Sequence, residues 1–193
     1  MKKNLFLTLF TTVLAISSGF SQFEVGSKSL NLGLGFGGYL DYSSTGNFTS
    51  SPTLFASYDQ GIIDNIGPGT IGIGGFAAYK TASWSYDYGT YNDNAKWTDF
   101  VIGARGTYHY PIGVEKLDLY GVVNLGLVME SYKYNSTYPG FVSSNYDYND
   151  SFLYYAANVG ATYQVSPKFG VFAEVGYDIA YLKAGINLKP SGK

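Results

Sequence analysis

Apolar residues along this chain alternate with small or polar ones, and beyond the N-terminus no apolar run reaches the length of a membrane helix. The clearest stretch is Leu30-Asn31-Leu32-Gly33-Leu34-Gly35-Phe36-Gly37, with leucine or phenylalanine on every even position. A period of two means an extended strand with one greasy face and one small or polar face. Eight segments carry the pattern: residues 29–40, 53–60, 70–80, 97–110, 117–130, 152–165, 169–177 and 181–189. In the second, Leu54, Ala56 and Tyr58 share a face. In the fourth, Phe100, Ile102, Ala104, Tyr108 and Tyr110 oppose Asp99, Gly103, Arg105, Thr107 and His109. In the fifth, Leu119, Val123, Leu125, Leu127 and Met129 oppose Asp118, Asn124, Gly126 and Glu130. A tilted strand crosses a bilayer in about 9–11 residues, and most of these segments are long enough.

The connections supply a second signal. Three are long and rich in Ser, Thr, Asn, Asp and Tyr: residues 41–52, 81–96 and 131–151. Three are shorter: residues 61–69, 111–116 and 166–168. Long and short alternate, except that the last connection, near residues 178–180, is tight although it falls on the long-loop side. Membrane barrels place short turns at one end and long loops at the other. An even strand count returns the chain to the end where it began, as an up-and-down barrel requires. The expected fold is therefore all-β: an eight-stranded antiparallel up-and-down transmembrane barrel with an oily outside and a polar inside.

The N-terminus reads as an address. Lys2 and Lys3 precede an apolar stretch from Leu5 to Ile16, and Gly19 and Ser21 are small residues suited to cleavage after Ser21. That is a secretory signal peptide over residues 1–21, leaving residues 22–193 as the barrel domain. Its removal takes two lysines, so 10 basic residues face 14 acidic ones and the net charge is −4. A mildly acidic chain without basic blocks argues against nucleic acid. There is no cysteine, hence no lipid-acylation site, disulfide framework or thiolate metal site. Charged residues make up only 13%, a deficit that fits a surface facing lipid. Aromatics sit at two levels near the segment ends: Tyr39, Tyr79, Trp97, Tyr154 and Tyr155 by the long loops, and Tyr108, Tyr110, Tyr163 and Phe169 by the short turns. Two such levels form the girdles of membrane interfaces.

The eight segments, the loop alternation and phrases such as Gly103-Ala104-Arg105-Gly106-Thr107-Tyr108-His109-Tyr110 and Leu182-Lys183-Ala184-Gly185-Ile186-Asn187-Leu188 resemble the small outer-membrane β-barrel proteins, the porin-like family of the OmpA transmembrane domain and OmpX. The resemblance is one of pattern and carries no catalytic signature. It implies a bacterial outer-membrane location, contact with membrane lipid or lipopolysaccharide, insertion by the outer-membrane assembly machinery, and a monomer. Members of that family end the last strand on an aromatic; here the chain continues past Leu188 into Lys189-Pro190-Ser191-Gly192-Lys193.

Candidate chemistry is sparse. Gly33-Leu34-Gly35-Phe36-Gly37-Gly38 matches the dinucleotide fingerprint in letters only, because no helix pattern follows it. His109 is the single histidine, falls at the inner end of the fourth segment, and has no G-x-S-x-G elbow beside it. Asp87, Asn92, Asp93 and Asn94 lack the spacing of a calcium loop. No catalytic, cofactor or metal site is expected, and the chain is not read as an enzyme.

Two residue sets carry the functional expectations. Arg105, Glu130, Glu174, Asp178 and Lys183 fall on the inward face, with Asp99 and Asp118 nearer the ends. An eight-stranded lumen is only wide enough for side chains, so buried charges there must pair. A network centred on Arg105 and Glu174, with Lys183 neutralising Asp178, would plug the barrel. The second set is the tyrosines of the two outer loops 81–96 and 131–151: Tyr86, Tyr88, Tyr91, Tyr132, Tyr134, Tyr138, Tyr146 and Tyr148. Tyrosine interleaved with Ser, Asn and Gly suits adaptable recognition, so an extracellular surface partner and an adhesion-like role follow. Two other readings stay open at this level: a narrow passive channel, and a soluble lipocalin-like barrel that would turn its bulky apolar residues inward.

Overall fold

Closure of the sheet decides what faces what. The computed structural model describes residues 23–38, 47–87, 89–137 and 146–190. The segment read as a signal peptide, together with Tyr39, Tyr88 and Tyr138, lies outside them. The strands are β1 (Lys28–Phe36), β2 (Asn47–Ser50), β3 (Thr53–Ile66), β4 (Gly69–Asp87), β5 (Asn92–Tyr110), β6 (Leu117–Ser136), β7 (Tyr146–Ser166), β8 (Phe169–Tyr177) and β9 (Leu182–Leu188). Every pairing is antiparallel. The β4–β5 and β1–β9 pairings close β1, β3, β4, β5, β6, β7, β8 and β9 into a ring of eight, the expected up-and-down barrel.

Alternation places the apolar side chains outside. Leu54, Ile73, Leu125, Leu153, Val159 and Val175 are exposed on the outer wall, Val123 and Leu153 at 65%. Asn31, Asp59, Arg105, Asn124, Asn158, Glu174, Lys183 and Asn187 are buried inside. A soluble ligand-binding barrel requires the reverse arrangement. Exposed apolar surface on this scale is unfavourable in water and costs nothing against acyl chains.

Three features depart from the sequence reading. The stretch 41–52 contains a short ninth strand, β2, which pairs with β4 beyond the end of β3. Pro52 has no N–H to give the ladder, which accounts for the break between β2 and β3. The stretches 81–96 and 131–151 are largely strand as well: β4 pairs with β5 out to Asp87 and Asn92, and β6 with β7 out to Tyr134 and Tyr146. The connection assigned to 61–69 shrinks to Gly67 and Pro68, because β3 runs on through two register shifts to Ile66. The result is a lopsided barrel. β4, β5, β6 and β7 span 19, 19, 20 and 21 residues, against 9, 7 and 9 for β8, β9 and β1.

Candidate functional site

The lumen is built from side chains that alternation turns inward on strands distant in sequence. Arg105 on β5 is 1% exposed and reaches across to two acids. Its Nε donates to both carboxylate oxygens of Asp59 on β3 at 3.0 Å. Its Nη1 lies 3.4 Å from Glu174 Oε2 on β8, and Nη2 makes a second, shorter contact with Oε1. Lys183 sits directly opposite Glu174 in the β8–β9 ladder and bridges it at 2.8 Å and Asp178 at 2.6 Å. The Tyr120 hydroxyl donates to Glu174 at 3.2 Å. Lys183 also rests 4.3 Å from the centre of the Phe55 ring. In a low-dielectric interior each ion is costly alone and tolerable only with hydrogen bonds at every position, which is the arrangement present. The Arg105 bonds reach across the lumen from β5 to β3 and β8, while Lys183–Glu174 ties neighbouring strands along its wall, and together they brace the ring. Glu130 lies apart from them, at the outer rim opposite Asp99.

The tight last connection has a structural reason: it folds into the barrel. Asp178, Ile179 and Ala180 are almost fully buried at the outer mouth. Asp178 accepts from Asn158 Nδ2 at 2.7 Å, from the Ile179 amide at 2.6 Å and from the Tyr154 hydroxyl. Tyr154 therefore points inward and is not part of the girdle expected from sequence. Ile179 joins Phe55, Phe76, Val101, Val128, Tyr154, Ala156 and Phe172 in an apolar layer. The lumen is thus not uniformly polar, as the glycines, asparagines and charges of the inner face had suggested; an oily layer lies beside the ionic one.

At the opposite end the segment preceding β1 packs into the barrel. Phe23 is 4% exposed and stacks on His109 with ring centroids 3.7 Å apart and planes 11° from parallel. Both imidazole nitrogens are engaged, Nδ1 with Asp118 at 2.8 Å and Nε2 with Thr107 Oγ1 at 3.0 Å. Glycine at 61 makes room for the strap, since a Cβ there would lie 2.1 Å from the Glu24 carbonyl oxygen, and a Cβ at 72 would lie 2.4 Å from Thr107 Oγ1 and 3.2 Å from the Phe23 ring. Backbone bonds from Gly26 N to Gly61 O at 2.9 Å and from Gly61 N to Ser27 O at 3.0 Å hold the strap.

The tall wall is the second candidate. In the strand register, Ala82, Trp97, Tyr132 and Tyr148 form one tier, and Trp84, Ala95, Tyr134 and Tyr146 the next, both on the face that continues the inner surface. Phe48 of β2 lies opposite Trp84. Ring centroids are 5.1 Å apart for Trp97–Tyr132, 6.2 Å for Phe48–Trp97 and 6.3 Å for Trp84–Tyr86. The other face carries Ser83, Lys96, Lys133 and Asp147, then Ser85, Asn94 and Asn135. Tyr86, Tyr132, Tyr134, Tyr146 and Tyr148 are thus strand residues on one side of a sheet, and Tyr91 lies between β4 and β5. The Tyr148 hydroxyl bonds Asp150, and that carboxylate raises the phenol above the usual tyrosine value.

Sequence reasoning missed Asp59, Phe23 and the inward phenylalanines. Asp59 had a signal, because it alternates with Leu54, Ala56 and Tyr58, and its inner parity marks it as a partner for Arg105. Phe23 had none.

No family model matches the chain, and no curated protein matches it. Among solved structures, two crystal structures of Ail, the attachment invasion locus protein of Yersinia pestis, are similar in fold. One, in complex with the heparin analogue sucrose octasulfate, is 15% identical over 85% of this chain and 94% of its own, with a TM-score of 0.47. The other is 14% identical over 86% and 95%, with a TM-score of 0.43.

Proposed function

We propose that the chain is an integral barrel of a bacterial outer membrane, exported by its N-terminal segment, with a lumen closed to solutes and a raised sheet that contacts an extracellular partner. The observation that carries this reading is the outward belt of Leu, Ile and Val, which stops where the outer-face residues of β4 to β7 change to Thr81, Thr98, Ser131 and Asn149. Below that line the wall suits lipid; above it the same strands are polar outside and aromatic inside. A strand crosses a bilayer in about 9–11 residues, so the remaining half of each tall strand stands in the aqueous phase. Exposed aromatic tiers rising from a rigid barrel suit recognition, because tyrosine and tryptophan offer contact area with few rotors to freeze. Membrane lipid and the outer-membrane assembly machinery are the further partners of this reading.

The test is fractionation with detergent, a heat-modifiable gel shift, and adhesion of cells carrying the intact barrel or one cut back to Thr81 and Thr98, and to Ser131 and Asn149. Detergent-dependent extraction with loss of adhesion supports the reading; extraction in plain buffer, or full adhesion by the shortened barrel, overturns it. Single-channel recording addresses the channel alternative, for which steady conductance through the intact barrel is the required result.

A further inference from the structure

The first inward row above the apolar layer is unevenly charged. Lys80, Asp99, Glu130 and Asp150 stand directly opposite one another on β4, β5, β6 and β7. Three carboxylates share one ammonium, and like charges in register destabilise a sheet. Asp99 is 2% exposed, and its Oδ1 has no hydrogen-bond partner among the described residues. Leaving a buried carboxylate oxygen unmatched is unfavourable, so the row is complete only when something donates to it. Immediately outward lies the tier of Trp97, Tyr132 and Tyr148. Ring faces attract cations, and most strongly when water is displaced. Among the described residues no three acidic side chains are grouped closely enough to hold a metal ion, and anions are repelled by the row. Carboxylates below and aromatic faces above suit an alkylammonium or guanidinium group.

We propose that this row and tier form a cup that takes a lysine or arginine side chain presented by an extended segment of the extracellular partner. The proposal rests on the surface-contact reading above and specifies its partner as cationic. Access is graded: Asp150 and Tyr148 are exposed, Glu130 and Tyr132 half-buried, and Asp99 deepest. The opposite face of the same wall sets Lys96 directly beside Lys133, which turns a basic segment toward the cup side.

Both tryptophans of the chain, Trp84 and Trp97, lie on this face, so intrinsic fluorescence reads it directly. The experiment titrates the folded, detergent-solubilised barrel with a glycine-spaced lysine peptide, the same peptide with acetylated lysines, and spermidine. Saturable binding of the lysine peptide alone is expected. Asp150→Asn, at an exposed position and with its fold checked by gel shift, should weaken it about tenfold, as should Asp99→Asn, while Lys133→Gln should leave it unweakened. Equal binding of the acetylated peptide, unchanged affinity in Asp150→Asn, or spermidine binding as tightly as the peptide overturns the proposal. If no lysine peptide binds but Tyr132→Ala and Tyr148→Ala barrels lose adhesion, the cup is wrong and the surface reading stands. If the shortened barrel adheres fully, the surface reading itself falls.

Discussion

The short wall and the tall wall of this barrel are made from the same alternating pattern and do different work. β8, β9 and β1 are short, at 9, 7 and 9 residues, and their inward residues brace the lumen: Glu174 and Lys183, with Asp178 and Ile179 on the connection between them. β4 to β7 are about twice as long, and the inward residues of their outer halves are aromatic and partly exposed. The short side contributes only to the bracing of the lumen; the tall side supplies Arg105 and Tyr120 to that bracing and adds aromatic tiers beyond it. Strand length marks where the second role begins, because the outer halves of β4 to β7 run on past the ends of β8, β9 and β1.

That contrast gives a graded series of outcomes. The largest effect is expected from Arg105→Ala, which strands Asp59 as a buried unpaired charge, leaves Glu174 to Lys183 and Tyr120, and should cost about 3–5 kcal/mol in reversible urea unfolding from micelles. It should also raise conductance in planar bilayers, and unchanged conductance with unchanged unfolding would remove the plug. Next is Val159→Arg on the lipid face, expected to cost about 2–4 kcal/mol if that face lies near the bilayer midplane; no measurable cost would place it in water. Phe23→Ala removes the stack on His109, a pair worth about 0.5–1.5 kcal/mol beyond its buried area. Its clearest readout is faster modification of His109 by diethyl pyrocarbonate, and an unchanged rate would show that the strap does not close that end. The smallest effect belongs to the tall wall: Lys133→Ala should stay within about 0.5 kcal/mol of the parent. A larger loss would mean that the raised sheet holds the barrel together and that the contrast drawn here is false.

Much of the fold was legible because a strand records its two faces residue by residue. Leu125 outside and Asn124 inside follow from alternation alone, and the ring follows from eight such segments with alternating connections. Arg105, Glu174, Asp178 and Lys183 could be placed on the inner face for the same reason. The strand ends were not legible. In 81–96 and 131–151 both faces are polar or aromatic, so the amphipathic signal vanishes there, although the ladder continues. Tyr154 and Tyr155 show the limit sharply: adjacent tyrosines of equal hydropathy, one bound to Asp178 in the lumen and one on the outer wall.

The sequence by itself determined the two faces of each strand, since a two-residue period needs no knowledge of neighbours, and closure of the ring decided which of them is inside. Only the tertiary structure decided who meets whom across the lumen. Asp59, Arg105 and Glu174 lie 46 and 69 positions apart and come together through closure of the ring. Phe23 and Ile179 cap the two ends from segments with no period at all. Their positions depend on a space that does not exist until the last strand has paired with the first.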